Sequence, residues 1–258
     1  MKIKHLLCFI ALCLFFTPGK AQQLSVMTLR NGATVYIWED KSKPDVFGMI
    51  AFKVGSVDDP EQYTGLAHYL EHVMFKGTQT IDALDWEKEK PIYEKIIAKY
   101  DERAALSDPA AREAVDKEIN DLTREAAQYA AGNEFSLLVD HMGGQGLNAS
   151  TGYDQTEYHN SFPPSQLEKW LEIYSERLID PVFRGFQTEL EAVYEEYNMY
   201  NDDRGSRMRE FIYEQAFGDH PYARPIIGLP EHLKNPQLSK LIDFYNTSVS
   251  YTHLRAHE

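Results

Sequence analysis

The sequence predicts an α+β fold. Short runs with strand-like alternation, a larger set of amphipathic helical stretches, and the interspersing of the two along the chain carry that assignment. The chain has 258 residues and is 43% hydrophobic, so it can bury a real core. With 26 basic against 40 acidic residues the net charge is −14, which disfavours nucleic-acid binding because that needs a basic face.

The first stretch, MKIKHLLCFIALCLFFTPGKAQ, reads as a bacterial-type signal peptide over residues 1–21. Lys2 and Lys4 supply the basic start, Leu6 to Phe16 the apolar run, and Gly19-Lys20-Ala21 the small residues before the cut. The run is too short to favour a membrane span, so none is expected in the mature chain, and the location expected is periplasmic or secreted. Both cysteines, Cys8 and Cys13, lie in this segment, which leaves the mature chain without a disulfide or a thiolate. Ile10-Ala11-Leu12 is not a convincing lipobox, so lipidation of Cys13 is not expected.

SVMTLRNGATVYIWED gives two strands around an Asn31-Gly32 turn. DVFGMIAFKVGS gives a third, with Val46, Gly48, Ile50, Phe52 and Val54 on one face. GLAHYLEHVMFKGT follows as a helix of roughly three turns, with Gly77 where a C-terminal cap is expected. Residues 82–132 are rich in Glu, Lys and Ala. Ile92, Ile96 and Tyr100, then Val115, Ile119 and Leu122, recur at helical spacing, with Asp108 as N-cap and Pro109 at the first helical position between them. This is a helical hairpin.

A short helix then ends at Gly143-Gly144, and two strands are expected, about 146–151 and 156–162, around Gly152-Tyr153-Asp154. Leu167, Trp170, Leu171, Tyr174 and Leu178 mark an amphipathic helix. QTELEAVYEEYNMYND is a further, acidic helix, and others are expected near Arg207–Phe217 and Leu238–Tyr245.

His68-Tyr69-Leu70-Glu71-His72 carries chemistry. Residues four apart on a helix share a face, so the two imidazoles can hold one ion, with Glu71 leaning toward it. Zinc suits two imidazoles and a carboxylate with a fourth position for water, and a glutamate can take that water's proton. The order inverts the commoner His-Glu-x-x-His. A distant acidic ligand is needed, and the helix ELEAVYEE offers Glu189 and Glu196 on one face with Val193. They stand about 10 Å apart along the axis, so only one can ligate while the other orients a histidine or substrate. Spacing alone leaves Glu189, Glu191, Glu195 and Glu196 open. His141, His159, His220 and His232 read as surface or hydrogen-bonded residues.

TGLAHYLEHVMFKGT closely resembles the zinc-site helix of the pitrilysin/insulinase family of zinc peptidases, which includes the mitochondrial processing peptidases. GGQGLNASTGYDQTEYHNSFP, ELEAVYEEYNMYND and HPYARPIIG resemble further family blocks in the same order, across most of Leu24 to Thr247. The resemblance implies a mostly antiparallel sheet covered by helices, as in the family's metallohydrolase half-domain. It implies His68 and His72 as zinc ligands, Glu71 as general base, Glu196 as third ligand and Glu189 as its supporting catalytic-site glutamate. It places Asn148 near a substrate strand that adds itself to a sheet edge. Its implied partners are a peptide or unfolded-protein substrate and a second, similar half-domain, on the same chain or another, that closes a chamber.

The departure is length: 123 residues separate His72 from Glu196, and the hairpin at 82–132 accounts for the excess. Residues 22–248 are thus expected to form an N-terminal zinc peptidase domain with that insertion. After LIDFYNT the resemblance predicts an apolar strand. Residues 249–258 instead read as translated sequencing adapter on a truncated gene, so His253 and His257 are not counted as ligands. A non-catalytic partner subunit of the family is the alternative, disfavoured by the complete ligand set. An S-ribosylhomocysteine lyase is disfavoured by the missing mature cysteine and the export signal.

Overall fold

A computed structural model describes residues 24–249; the signal-peptide segment and residues 250–258 lie outside the described residues. Among the described residues, 24–44 form one compact unit and 45–249 a second. The first unit is a hairpin of β1 (Leu24–Thr28) and β2 (Thr34–Trp38), paired antiparallel from Leu24↔Trp38 to Thr28↔Thr34. Asn31 and Gly32 form its turn as expected: Gly32 takes φ +84°, open to a residue without Cβ, and Asn31 Oδ1 accepts from the Ala33 N–H.

In the second unit, β3 (Val46–Phe52), β4 (Gln145–Thr151) and β5 (Thr156–Phe162) form an antiparallel sheet in the order β3-β5-β4. Residues 46, 48, 50 and 52 of β3 face inward as the alternation predicted. In β5 every second residue from Thr156 is buried, as befits the central strand. β4 is an edge, and its register slips between Gln145 and Asn148.

Helices cover one face of this sheet. The helices of this unit are α1 (Leu66–Val73), α2 (Trp86–Ala105), α3 (Pro109–Ala126), α4 (Glu134–His141), α5 (Leu167–Ile179), α6 (Phe186–Asp202), α7 (Arg204–Phe217), α8 (Pro230–Leu233) and α9 (Leu238–Phe244). No helix among the described residues is long and apolar enough to cross a membrane.

Two expectations need correction. α1 ends at Val73 with Met74 as its C-cap, so it spans about two turns. Gly77, though at φ +89°, lies in the following turn, where its carbonyl accepts from Val182 N–H. In α5 the buried face runs through Trp170, Ile173, Tyr174, Arg177 and Leu178, whereas Leu167 and Leu171 are exposed. Polar partners turned the helix: the buried Asn160 of β5 accepts at Oδ1 from Trp170 Nε1 and from the Tyr174 hydroxyl, both at 2.7 Å. The Arg177 guanidinium is fully buried in a cage of Phe75, Phe135, Tyr158 and Tyr174 rings, its centre 4.3–5.3 Å from each.

The α2–α3 hairpin forms as predicted. Asp108 accepts from the Ala111 N–H at the start of α3, and Ile92, Ile96, Tyr100, Val115 and Ile119 are buried. Its base is pinned to the core by a bidentate pair in which Arg184 Nε and Nη2 donate to Glu89 at 2.6 and 2.8 Å. Arg184 Nη1 also donates to the Thr78 carbonyl at 2.8 Å. Both side chains are nearly inaccessible, at 9% and 2% exposure, so removing one partner strands a buried charge. Arg184→Met is therefore expected to cost about 3–5 kcal/mol in urea unfolding. Adding Glu89→Leu should recover most of that loss; a double variant no better than the single would show that the pair is not the source.

Candidate metal centre

α1, with Gly65 as its N-cap, presents His68 and His72 one turn apart, their ring centroids 4.8 Å from each other. Its opposite face is held down by the buried Leu70 and Val73, and the Tyr69 hydroxyl donates to the carbonyl of Phe186, the first residue of α6. α6 buries Val193 completely, which turns Glu189 and Glu196 along one flank toward α1.

The Glu196 Oε2 atom lies 3.6 Å from His68 Nε2 and 3.4 Å from His72 Nε2. Behind His72, Glu189 Oε2 stands 3.5 Å from Nδ1, and the other Glu189 oxygen binds Lys76 Nζ at 2.5 Å. Glu189 thus holds the imidazole from its far side while Nε2 faces Glu196. Of the four glutamates that spacing left open, Glu189 and Glu196 face the histidines, whereas Glu191 and Glu195 are exposed. Glu71 is half-buried, and its Oε2 accepts from the Thr151 hydroxyl at 2.6 Å. Asn148 lies outside this cluster, exposed on edge strand β4 beside the register slip and opposite His159.

The protonation pattern follows from burial and neighbours. Burial, aided by the adjacent His72, drives the His68 pKa down to about 4 against the pull of Glu196. Burial also opposes charge on His72, but hydrogen bonds to Glu189 and Glu196 override it and lift that pKa to about 9. Burial raises Glu71, partly offset by the Thr151 hydrogen bond. Glu196 is lowered first by the hydrogen bond from His72; Glu189 is lowered by His72 and Lys76 despite the burial that opposes it.

The donor atoms of His68, His72 and Glu196 all lie within 4.8 Å of one another. Ligands bound tetrahedrally at zinc distances stand roughly 3.3 Å apart, and the carboxylate-to-imidazole separations of 3.6 and 3.4 Å come close to that. Two nitrogens and one oxygen, with an imidazole kept neutral by burial, are a set that zinc accepts.

Thr151, Lys76 and Tyr200 were not singled out from sequence. Tyr200 hydrogen-bonds Glu196 from one turn further along α6. Lys76 sits four residues after His72, a spacing that could have been read; Thr151 depends on strand β4 reaching α1. Of the other histidines, His220 Nδ1 accepts from Tyr222 N–H, His232 binds Thr64, His159 packs on Phe47, and His141 is exposed.

The family model described as Insulinase (Peptidase family M16) matches residues 34–90 and 119–229, pausing at 91–118 inside the α2–α3 hairpin. An uncharacterized zinc protease of Streptomyces coelicolor is 24% identical over 210 residues, covering 81% of this chain and 35% of its own. Zinc protease PqqE of Helicobacter pylori is 25% identical over 224 residues, covering 85% and 39%. The crystal structure of a protease from Helicobacter pylori aligns with TM-score 0.65 at 22% identity, over 88% of this chain and 43% of its own. Pitrilysin aligns with TM-score 0.63 at 21% identity, over 92% and 21%. These likenesses show the fold, and the chain spans less than half the length of each. With well over half of its residues matched to the family model, including both helices of the metal cluster, the chain belongs to the insulinase family of peptidases, family M16.

Proposed function

We propose that the chain is the metal-binding portion of an exported zinc metalloendopeptidase that hydrolyses peptides and small or unfolded proteins. One observation carries this reading: three donors from two helices converge within 4.8 Å, with the carboxylate of Glu71 on the same helix as both histidines. His68, His72 and Glu196 would hold the ion. When bound, zinc supplies Lewis acidity, lowering the pKa of water and polarising a carbonyl.

The remaining roles belong to the chain. Thr151 fixes one Glu71 oxygen, so the carboxylate keeps one orientation and takes the proton of the attacking water. Burial raises the Glu71 pKa, which strengthens it as a base and later lets it return that proton to the leaving amine. Glu189 holds His72 from behind and so fixes which of its nitrogens faces the ion. The edge of β4 beside Thr151 can receive an extended peptide through backbone hydrogen bonds, with Asn148 on that edge. A second half-domain, in the same protein or a partner, completes the substrate chamber. The basic and apolar start of the sequence supports export.

Three outcomes test this. The parent chain should carry about one zinc by elemental analysis, as a single three-donor site requires, and His68→Ala or His72→Ala should carry none. Glu71→Gln should keep its zinc and lose at least about 100-fold in peptide hydrolysis, measured with the second half supplied; equal turnover would sink the base assignment. Because His72 is protonated below about pH 9, ion uptake at neutral pH should expel about one proton per chain. Titration calorimetry in buffers of different ionisation heat reads that number. It should fall toward zero as the pH passes 9, and zinc affinity should rise with pH up to that point and level off beyond it.

A further inference from the structure

We propose that the segment Ile227–Lys234 is a brace that sets the histidine helix against the glutamate helix, with His232 as its positioning residue. The inference rests on the metal reading above.

Thr64, the buried residue before the Gly65 N-cap of α1, is tied to this segment three times. Its main-chain N–H donates to His232 Nδ1 at 3.1 Å, its hydroxyl lies 2.8 Å from the same nitrogen, and it accepts from the Leu229 N–H at 2.9 Å. A main-chain N–H can only donate, so Nδ1 carries no proton and His232 is the neutral tautomer protonated at Nε2. The Thr64 hydroxyl, accepting from Leu229, gives its own proton to Nδ1. One imidazole nitrogen thereby fixes both the backbone and the side chain at the root of α1.

Two glycines bring the segments into backbone contact. Gly65 and Gly228 both take positive φ, +88° and +92°. A Cβ on Gly228 would stand 2.5 Å from the Thr64 carbonyl oxygen, and one on Gly65 would stand 2.5 Å from that of Ile227. From the other side, the buried Asp59 accepts from the N–H groups of Gly65 and Ala67 at 2.7 and 2.8 Å. The first turn of α1 is therefore fixed from two directions, and His68 is the next residue along it.

The same segment reaches the other ligand helix. α8 packs on α6, its Leu233 is buried, and Lys234 Nζ lies 6.0 Å from the centre of the Tyr194 ring, two residues before Glu196. One short element thus touches both helices that supply donors. Releasing the root of α1 moves His68 relative to Glu196, which α8 continues to hold.

The test measures zinc affinity on the full chain by chelator competition, well below the unfolding temperature. His232→Leu should bind about tenfold more weakly, the lower end of what lost support around a ligand costs, and its cobalt-substituted absorption spectrum should change. His232→Asn presents Oδ1 where Nδ1 stood, so it should stay within about threefold of the parent. Val115→Ala, which opens a cavity in the α2–α3 hairpin, should keep parental affinity despite lower stability. Parental affinity in His232→Leu overturns the brace, as does an asparagine variant as weak as the leucine one or a matching loss in Val115→Ala. Should His232→Leu fail to fold, Thr64→Val, which removes only the hydroxyl's bonds, is read the same way. A parent chain that takes up no zinc overturns the metal reading itself and the brace with it.

Discussion

Glu196 stands within 3.6 Å of two imidazoles that lie more than a hundred residues earlier in the chain. Bringing those side chains together is the demand that the rest of the second unit meets. α1 must approach α6 closely while both keep their backbone polar groups satisfied. Tyr69 does this from the back of α1 by donating to the Phe186 carbonyl, and Val193 seats α6 without polar cost. The sheet sets the remaining side, because Thr151 at the end of β4 reaches Glu71. Helix α1 is thus bounded by a strand, a helix and a loop, each contributing at least one hydrogen bond to it.

The electrostatic arrangement follows from how unequally the two histidines are surrounded. His68 is more buried and meets one carboxylate, so it stays neutral; His72 lies between two and holds a proton. The difference comes from the deeper burial of His68 and from Glu189 beside His72, a carboxyl that His72 and Lys76 hold below the usual range despite its burial. On the proposed metal reading, a cation arriving at Nε2 would meet one imidazole ready to ligate and another that must first lose a proton. Glu189 would then have a double effect. It resists the exchange while a proton sits on His72, and it strengthens the imidazole as a donor once that proton has gone.

Much of this was legible in the sequence wherever neighbours along the chain decide the outcome. The Asn31-Gly32 hairpin, the strand pair after Gly144 and the capped hairpin at Asp108-Pro109 rest on local turn and cap chemistry. The i, i+4 pair His68 and His72 likewise needs only helix geometry. What could not be read depends on contacts across the chain. Leu171 fits the apolar period of α5, yet it is exposed because Asn160 and the aromatic cage around Arg177 rotate the helix. Among the acidic residues of α6, periodicity placed Glu189 and Glu196 together but did not say which meets the histidines. Their division of labour appears only once α1 is packed against α6, with Glu196 at both Nε2 atoms and Glu189 behind His72. Thr151 and His232 act on α1 from 80 and 168 residues away, and no local pattern marks either.

The buried Glu89–Arg184 pair has a consequence for how this chain can vary. It lies at the foot of the α2–α3 hairpin, just before the stretch at which the family match pauses. The foot is fixed by charge, and a second tie lies near the far end, where Arg103 and Arg112, flanking the short turn at Leu106–Asp108, donate to Asn235 Oδ1. Length can be added beyond that second tie, at the turn, while the foot stays where it is. For the apolar stripes of the two helices to keep facing each other, each helix must change by a full turn, about seven residues together. The hairpin is in that sense an arm of adjustable reach on a fixed pivot, and its length can change while the geometry around His72 is left untouched.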